Sequence, residues 1–374
     1  VAGEDRYVAV SAQGVIAWSA DGDIWHKGVR KGRRHIIYKT FEGGDWVYKD
    51  CYETEADSDN PFPKGTYDSH NPFPQGTVFN AVAFGGGVFV AVGNNGRFAL
   101  STDGIEWDGT FPLDGQTITM GDSILSNPQG SNTISGFTGD IRGIAYGNGV
   151  FVAVGGSDSA ASVAICAAPG YTSAAWSVKT PSGWSSRIND IDFKADTFYI
   201  VGDGGQTGWA TSPDSSDWHH YAYNAGGTGL ASDAGYPFFG NDILKVCVGE
   251  YGAGVPGIGV AFAEWGGRRT AVAKAEAFRW SDHSGDQDWD GDLDTHLFGS
   301  NDISGIAWGG GYYVAAGGSA ITGWWPSAAP GASWDRYWRA LCLYDFQWWR
   351  ITAVEALNGR FFVGGDGGKI GYSR

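Results

Sequence analysis

Apolar residues along this chain gather into short runs separated by glycine-bearing turns, and the arrangement recurs. In its clearest form the phrase reads IRGIAYGNGVFVAVG, from Ile141 to Gly155: a strand, a tight turn, a second strand and a closing glycine. Close copies run from Ala81 to Gly93 (AVAFGGGVFVAVG), from Gly305 to Gly317 (GIAWGGGYYVAAG) and from Ala353 to Gly365 (AVEALNGRFFVGG). Weaker copies are INDIDFKADTFYIVG, from Ile188 to Gly202, and VCVGEYGAGVPGIGVAFA, from Val246 to Ala263. A truncated one, RYVAVSAQG, begins at Arg6, which makes seven. Each phrase predicts a hairpin that cannot bury both faces by itself, so the set predicts a stacked or radial array of sheets.

Two further regularities select the radial form. The turns Gly85-Gly86-Gly87, Asn148-Gly149, Gly309-Gly310-Gly311 and Asn358-Gly359 supply the positive φ angles of two-residue hairpins. The first strand of each unit carries a small residue early, at Ala81, Gly143, Gly305 and Ala353. Innermost strands of a propeller converge on its axis and need small residues there, whereas a sandwich has no such need. The second strands align on Val8, Val90, Val152, Tyr199, Val260, Val314 and Phe362 as core positions. The pattern predicts an all-β chain: a single β-propeller domain over residues 1–374, of seven blades with four antiparallel strands each, or six if the ends share one. A blade needs roughly 40–50 residues, so insertions are expected at about residues 26–77, 110–140 and 264–300. The first unit lacks an evident innermost strand. Either the segment from Val1 to Asp5 supplies it, or the first and last units meet at a partly open seam.

A third phrase follows several units: SADGDIW (Ser19 to Trp25), STDGIEW (Ser101 to Trp107) and SPDSSDW (Ser212 to Trp218). Asp21, Asp103 and Asp214 are placed to accept turn amides, with the tryptophan wedged against a neighbouring blade. This S-x-D-G-x-x-W phrase resembles the Asp-box (BNR) repeat of sialidase-like propellers, one residue shorter than the usual S-x-D-x-G-x-T-W. The resemblance implies a propeller over nearly the whole chain, with the boxes on turns away from the catalytic face. The sialidase arginine cluster and Tyr/Glu pair cannot be placed on this chain, so the resemblance is one of fold. Phrases of the GNGVFVAVG type also resemble modules of bacterial surface proteins and phage tail proteins.

Composition narrows the partners. The chain has 61 glycines, 18 tryptophans, 17 tyrosines and 20 phenylalanines, which suits many short strands joined by tight turns and plugged by aromatic rings. The net charge of −16 argues against nucleic acid, because phosphate binding needs the opposite sign. No stretch is long and apolar enough for a membrane-spanning helix. The start at Val1, without Met or a signal-like apolar region, reads as a processed chain, and the expected location is extracellular or on a cell or virion surface. Cys51, Cys166, Cys247 and Cys342 are far apart with no metal spacing, and Cys166 and Cys247 fall in apolar strands as buried thiols.

The sharpest chemical motif is DQDWDGDLD. Asp286, Asp288 and Asp290 alternate, Gly291 allows a sharp turn, Asp292 offers a backbone carbonyl and Asp294 closes the pattern. That spacing predicts one structural Ca²⁺, since the cation wants six to eight oxygens on a tight loop. The loop is similar to the calcium loops of integrin α propellers, and it departs from an EF-hand at Leu297, where a bidentate Glu would stand.

Other segments point to surfaces. The run HKGVRKGRRH, from His26 to His35, inverts the local sign of charge and suits an acidic glycan or an acidic face of another copy. The repeated N-P-F-P-x-G-T between Asn60 and Thr77 presents Phe62 and Phe73 on a proline-stiffened loop fit for docking. Trp324-Trp325 and Trp348-Trp349 cannot all face a core, because strand neighbours point to opposite faces. Stacking on sugar rings is one use for the remainder, and inter-blade packing the other. No nucleophile elbow, phosphate loop or dinucleotide motif is present. The expectation is therefore a non-catalytic recognition or assembly module that binds a glycan, a protein surface or another copy of itself. A polysaccharide-cleaving propeller and a structural subunit of a virion tail or surface appendage are the alternatives.

Overall fold

A computed structural model describes residues 1–3, 6–12, 14–30, 35–42, 45–52, 78–107, 119–120, 123–124, 133–167, 175–214, 218–221, 241–250, 256–264, 267–274, 290–291, 303–317, 322–326, 350–365 and 369–373. Seven antiparallel sheets of three or four strands follow one another along them. The first blade comprises Tyr7–Val10, Ile16–Ser19 and His26–Lys27, and the second Phe79–Gly85, Val88–Gly93 and Phe98–Ser101. The third blade is Asp140–Gly147, Val150–Ser157, Ala160–Cys166 and Ser177–Lys179, and the fourth Ile188–Lys194, Thr197–Gly202, Thr207–Ala210 and His219–Tyr221. Ile243–Glu250, Pro256–Glu264, Gly267–Lys274 and Asp290–Gly291 form the fifth. Ile303–Gly309, Tyr312–Gly317 and Thr322–Pro326 form the sixth, and Ile351–Leu357, Arg360–Gly365 and Lys369–Tyr372 the seventh.

The blades pack face to face, and the core lies between them. Val90, Phe98, Ile141, Ile144 and Phe151 join the second blade to the third, while Val152, Val163, Ile188, Ile191 and Phe198 join the third to the fourth. Tyr199, Val201, Ile243 and Val260 continue to the fifth, and Ala307, Ala316, Ile351 and Val363 link the sixth to the seventh. Trp107 is fully buried between the first and second blades, beside Val8, Ile16 and Phe89, as a wedge of the expected kind.

The ring closes through both routes considered from the sequence. Ala2 bridges Tyr7, and Val8 N–H donates to Val1 O at 2.8 Å, so the segment 1–3 takes the innermost place in the first blade. The last blade then meets the first: Asn358 Nδ2 donates to the Tyr7 hydroxyl at 3.0 Å, and the Tyr7 and Phe362 rings lie 5.0 Å apart. Arg360 reaches Asp23 at 3.7 Å across the same seam.

Each of the six longer innermost strands begins with a bulge, between Phe79 and Ala81, Ile141 and Gly143, Ile188 and Asp190, Ile243 and Lys245, Ile303 and Gly305, and Ile351 and Ala353. One extra residue there bends the strand and raises its twist, which suits a strand crowded against an axis. The hairpin turns behave as expected, with Asn148 and Gly149 at φ 49° and 78°. The fourth blade makes the same turn with Ala195 and Asp196, at φ 49° and 59°, although neither is glycine.

One expected register is off. Val260 pairs with Val246, whereas the residue matching Ala145 and Ala307 in the fifth blade is Cys247, whose partner is Gly259. A one-residue slip exchanges the two faces of a strand. Gly259 fills the core position instead, and the Tyr313 ring occupies the space, 2.8 Å from where a Cβ would stand.

The SADG and STDG turns are fastened as the spacing implies. Asp21 Oδ1 accepts from Asp23 N–H and Ile24 N–H at 2.8 and 2.9 Å, Ser19 Oγ accepts from Gly22 N–H, and Trp25 Nε1 donates to Gly22 O. Asp103, Ser101, Gly104 and Trp107 repeat this geometry. Within the expected insertions, His35–Glu42 pairs with Asp45–Tyr52, and Val29–Arg30 runs parallel to Glu106–Trp107. Cys166 and Cys247 are buried free thiols.

Candidate functional site

Aligning the innermost strands on their bulges exposes a column that faces the neighbouring blade and the axis. Two residues past the bulge partner stand Ala81, Gly143, Asp190, Lys245, Gly305 and Ala353; two further on stand Ala83, Ala145, Asp192, Cys247, Ala307 and Glu355. The second, third and sixth blades keep only alanine and glycine in both rows. The fourth, fifth and seventh place Asp190, Asp192, Lys245, Cys247 and Glu355 there.

These groups converge. An innermost strand has no further strand on its inner edge, so its N–H groups there need other acceptors. On the fifth blade the fourth blade provides them: Asp190 Oδ2 accepts from Val246 N–H at 3.1 Å, and Asp192 Oδ2 from Val248 N–H at 2.6 Å. The other oxygen of Asp192 accepts from Phe193 N–H at 2.7 Å, and Lys245 Nζ lies 3.6 Å from Asp190 Oδ1. Gly143 makes room for this arrangement, since a Cβ on it would stand 3.2 Å from Asp190 Oδ1. Glu355 belongs to the seventh blade, with the sixth between it and the fifth, yet its charge acts on Asp192 and Cys247. That coupling runs across the axis. Glu355 is exposed, whereas Asp190 and Asp192 are half-buried.

Burial sets the protonation of these carboxylates. It pushes Asp192 up to about 7; the Val248 and Phe193 amides pull it back, and Glu355 and Asp190 push it further. Burial also raises Asp190, against the opposing pull of Lys245, and raises Glu355. The Cys247 thiol is raised by burial and by the Asp192 and Glu355 charges, which makes it a poor nucleophile. Further along the fourth blade's innermost strand, Lys194 Nζ sits 3.8 Å from the centre of the Trp308 ring as a cation–π pair. Among the described residues, no group of three or more His, Cys, Asp or Glu side chains is arranged to hold a metal ion.

Of the residues singled out from the sequence, Asp290 is backbone-paired with Val272 in the fourth strand of the fifth blade. Asp286, Asp288, Asp292 and Asp294 lie outside the described residues, as do Phe62, Phe73, Trp348 and Trp349. Trp324 and Trp325 sit in the third strand of the sixth blade, backbone-paired with Val314 and Tyr313. The basic run contributes His26–Lys27 to the first blade and Val29–Arg30 to the strand beside Glu106–Trp107.

The axis cluster is the site that motif reading missed. Its signal was present: the phrase INDIDF carries Asp where IRGIAY carries Gly and Ala. A second device went unread for the same reason. Asn80 Nδ2 donates to Ile141 O at 2.7 Å and Asn189 Nδ2 to Ile243 O at 2.9 Å, so each bulge asparagine clasps the next blade at the start of its innermost strand.

No protein-family model and no curated protein matches the chain. Among solved structures it is similar to the WD40 β-propeller domain of Doa1, with 14% identity and a TM-score of 0.50 over all of this chain and 91% of that one. It is also similar to YCF48 bound to a D1 peptide, with 13% identity and a TM-score of 0.47 over 99% and 97% of the two chains. The computationally designed Ika8 protein follows at 10% identity and a TM-score of 0.46, over 100% and 94%. At such identities likeness speaks for the fold alone, and together with the ring of sheets it establishes the chain as a β-propeller.

Proposed function

We propose that this propeller is a recognition or assembly module that receives a basic group of a protein partner at its axis. One observation supports the reading most: a repeat that keeps alanine and glycine at the axis in three blades places two aspartates, a glutamate and a lysine in the same rows of three others. Departures from a fold's own packing rule gather where function is served. Binding is favoured over catalysis because the aspartate oxygens are committed to backbone amides and to Lys245. A general acid or base must reach the substrate proton itself. Glu355 is the most exposed carboxylate of the cluster and the one with surface open to a ligand. The net charge of −16 steers basic surfaces towards the molecule and works against acidic glycans.

Two further parts belong to the proposal. Asp286, Asp288, Asp290 and Asp294, with the Asp292 carbonyl, hold one structural Ca²⁺, as their spacing suggests. Phe62, Phe73 and the tryptophans at 324, 325, 348 and 349 add contact surface in an extracellular or surface setting. Calorimetric titration of metal-free protein is expected to show one calcium site, absent in Asp288→Ala; an unchanged isotherm in the variant contradicts that site.

The test of the main reading is a binding screen with lysine- and arginine-rich peptides beside a panel of acidic and neutral polysaccharides. Salt-sensitive retention of basic peptides, weakened about tenfold by Glu355→Gln, is the expected result. New reducing ends or unsaturated uronate absorbance in the polysaccharide arms would replace this reading with an enzymatic one.

A further inference from the structure

The first blade differs from the others at the axis. Its bridge between Ala2 and Tyr7 matches the pairing of Tyr146 with Phe151 in the third blade, so residues 1–3 correspond to Ala145, Tyr146 and Gly147, the end of an innermost strand. The other six blades start that strand four residues earlier, with runs such as Phe79-Asn80-Ala81-Val82, Ile141-Arg142-Gly143-Ile144 and Ile303-Ser304-Gly305-Ile306. In the first blade no described residue stands in those four places.

Three surfaces around the gap are bare. Val8 exchanges hydrogen bonds with Val1, and backbone groups alternate along a strand, so Val10 turns its N–H and C=O to the same inner edge. No described residue pairs with Val10 there, although its counterpart Val154 pairs with Gly143. Gly143 and Gly305 lie against Ile191 and Val354, the fourth residues of the next blades' runs. Ala353 occupies the same row of the seventh blade and is exposed, whereas Ala81, Gly143, Asp190, Lys245 and Gly305 are buried or half-buried. Gly364 stands where Val92, Val154, Val201, Ala261 and Ala316 are fully buried, and a Cβ on it would meet nothing within 4 Å.

We propose that this gap is a strand-docking site, which receives an extended, uncharged segment of a partner polypeptide, apolar at its first and fourth residues and small at its third. The ring itself specifies that segment. Each run elsewhere opens on a buried apolar residue, such as Phe79, Ile141 or Ile351, and closes on another, such as Ile144, Ile191 or Ile306. The third place is small at Ala81, Gly143, Gly305 and Ala353. An asparagine at the second repeats the clasp by which Asn80 and Asn189 hold the carbonyls of Ile141 and Ile243. The incoming backbone pairs with Val10 and covers Ala353 and Gly364, so main-chain hydrogen bonds supply affinity and the apolar side chains specificity. The walls are apolar, and an unpaired charge there would be costly. This site lies beyond the basic-group reading of the axis and succeeds or fails without it.

A neutral peptide carrying Ile-Asn-Gly-Ile, beside a control with aspartate at both isoleucines, tests the site on the full chain. Without peptide, hydrogen exchange at the Val10 amide, corrected for its intrinsic rate, should be about a hundredfold faster than at Val154. Saturating peptide should slow Val10 about tenfold and raise the melting temperature with its concentration, whatever the salt, while the control does neither. Gly364→Val fills the open space, so it should leave the free chain's melting temperature in place and weaken the peptide about tenfold. The exchange measurements use unaltered protein and stand even if that variant is unstable. A Val10 amide already as slow as Val154 would mean that the chain's own residues fill the gap, and would overturn the site. So would a Val10 amide that the peptide leaves unchanged, or Gly364→Val protein that binds it as tightly as the wild type.

Discussion

Two seams of one ring show two ways of closing a propeller. Where the sixth blade meets the seventh, Gly305 carries nothing, and the bare backbone comes so near that an added Cβ would stand 2.8 Å from Val354 N. Where the fourth meets the fifth, the same row holds Asp190, whose carboxylate bridges to Val246 N–H and to Lys245. The first seam is held by shape in this row, where Gly305 and Ala353 carry no titratable group. The second is held by charge-assisted hydrogen bonds, which satisfy edge amides but tie the joint to pH. A repeat can thus keep its fold while one seam is given over to chemistry.

The strongest way to break the comparison is to crowd the shape-held seam. Gly305→Leu drives a side chain into the Val354 backbone and is expected to cost about 3 kcal/mol, measured as a lower denaturant midpoint. Gly143→Leu should do comparable harm, since Ile191 and Asp190 both lie within 3.2 Å of the new Cβ. An unchanged midpoint in either variant would mean that the innermost strands are spaced otherwise.

Smaller in size, the charge-held seam should answer with a change of sign. Asp192→Ala removes a group whose folded-state value is raised, so it removes an instability that grows as pH climbs from the unfolded value of 3.8 through about 7. It also leaves Val248 N–H without its acceptor, a loss of about 1 kcal/mol. After discounting by about half for the partial exposure of Asp192, the variant should be marginally less stable at pH 5 and more stable by about 1 kcal/mol at pH 8. Equal offsets at both values contradict the assignment of the raised carboxyl to Asp192.

The turn aspartates offer the opposite sign. The Ile24 and Asp23 amides hold the exposed Asp21 carboxyl below the ordinary carboxylate range, so its contribution is present above the unfolded value and is lost as acid protonates it. Asp21→Asn should weaken the acid dependence of stability without touching the neutral limb. Asp103→Ala, in the matching turn, frees Ile105 N–H and the Ser101 hydroxyl and should cost about 1 kcal/mol at neutral pH. A larger loss there would give these turns a role beyond fastening a hairpin.

Most of the fold was legible because its rules are local. Paired Gly and Asn residues mark the hairpin turns, small residues mark the crowded axis, and S-x-D-G marks the fastened turn. What escaped was relational. The turn at Ala195-Asp196 carries positive φ on residues that give no such signal. The slip at Val260 and Gly259 goes with the longer connection between Glu250 and Pro256 and with a Tyr313 ring contributed by another blade. The axis cluster escaped because Asp190 and Asp192 made the fourth unit read as a worn copy, when the difference itself was the information. Only pairing the blades around an axis brings Glu355 to face residues more than a hundred and fifty positions earlier.

Carboxyl-carbon NMR of aspartate-labelled protein tests the distinction between the seams most directly. Titrated with Asp192→Asn as the assignment control, the Asp192 resonance should move with a midpoint near 7 and shift downward in Glu355→Gln. A midpoint near the ordinary aspartate value, unmoved by that substitution, would contradict a buried carboxylate cluster at the axis.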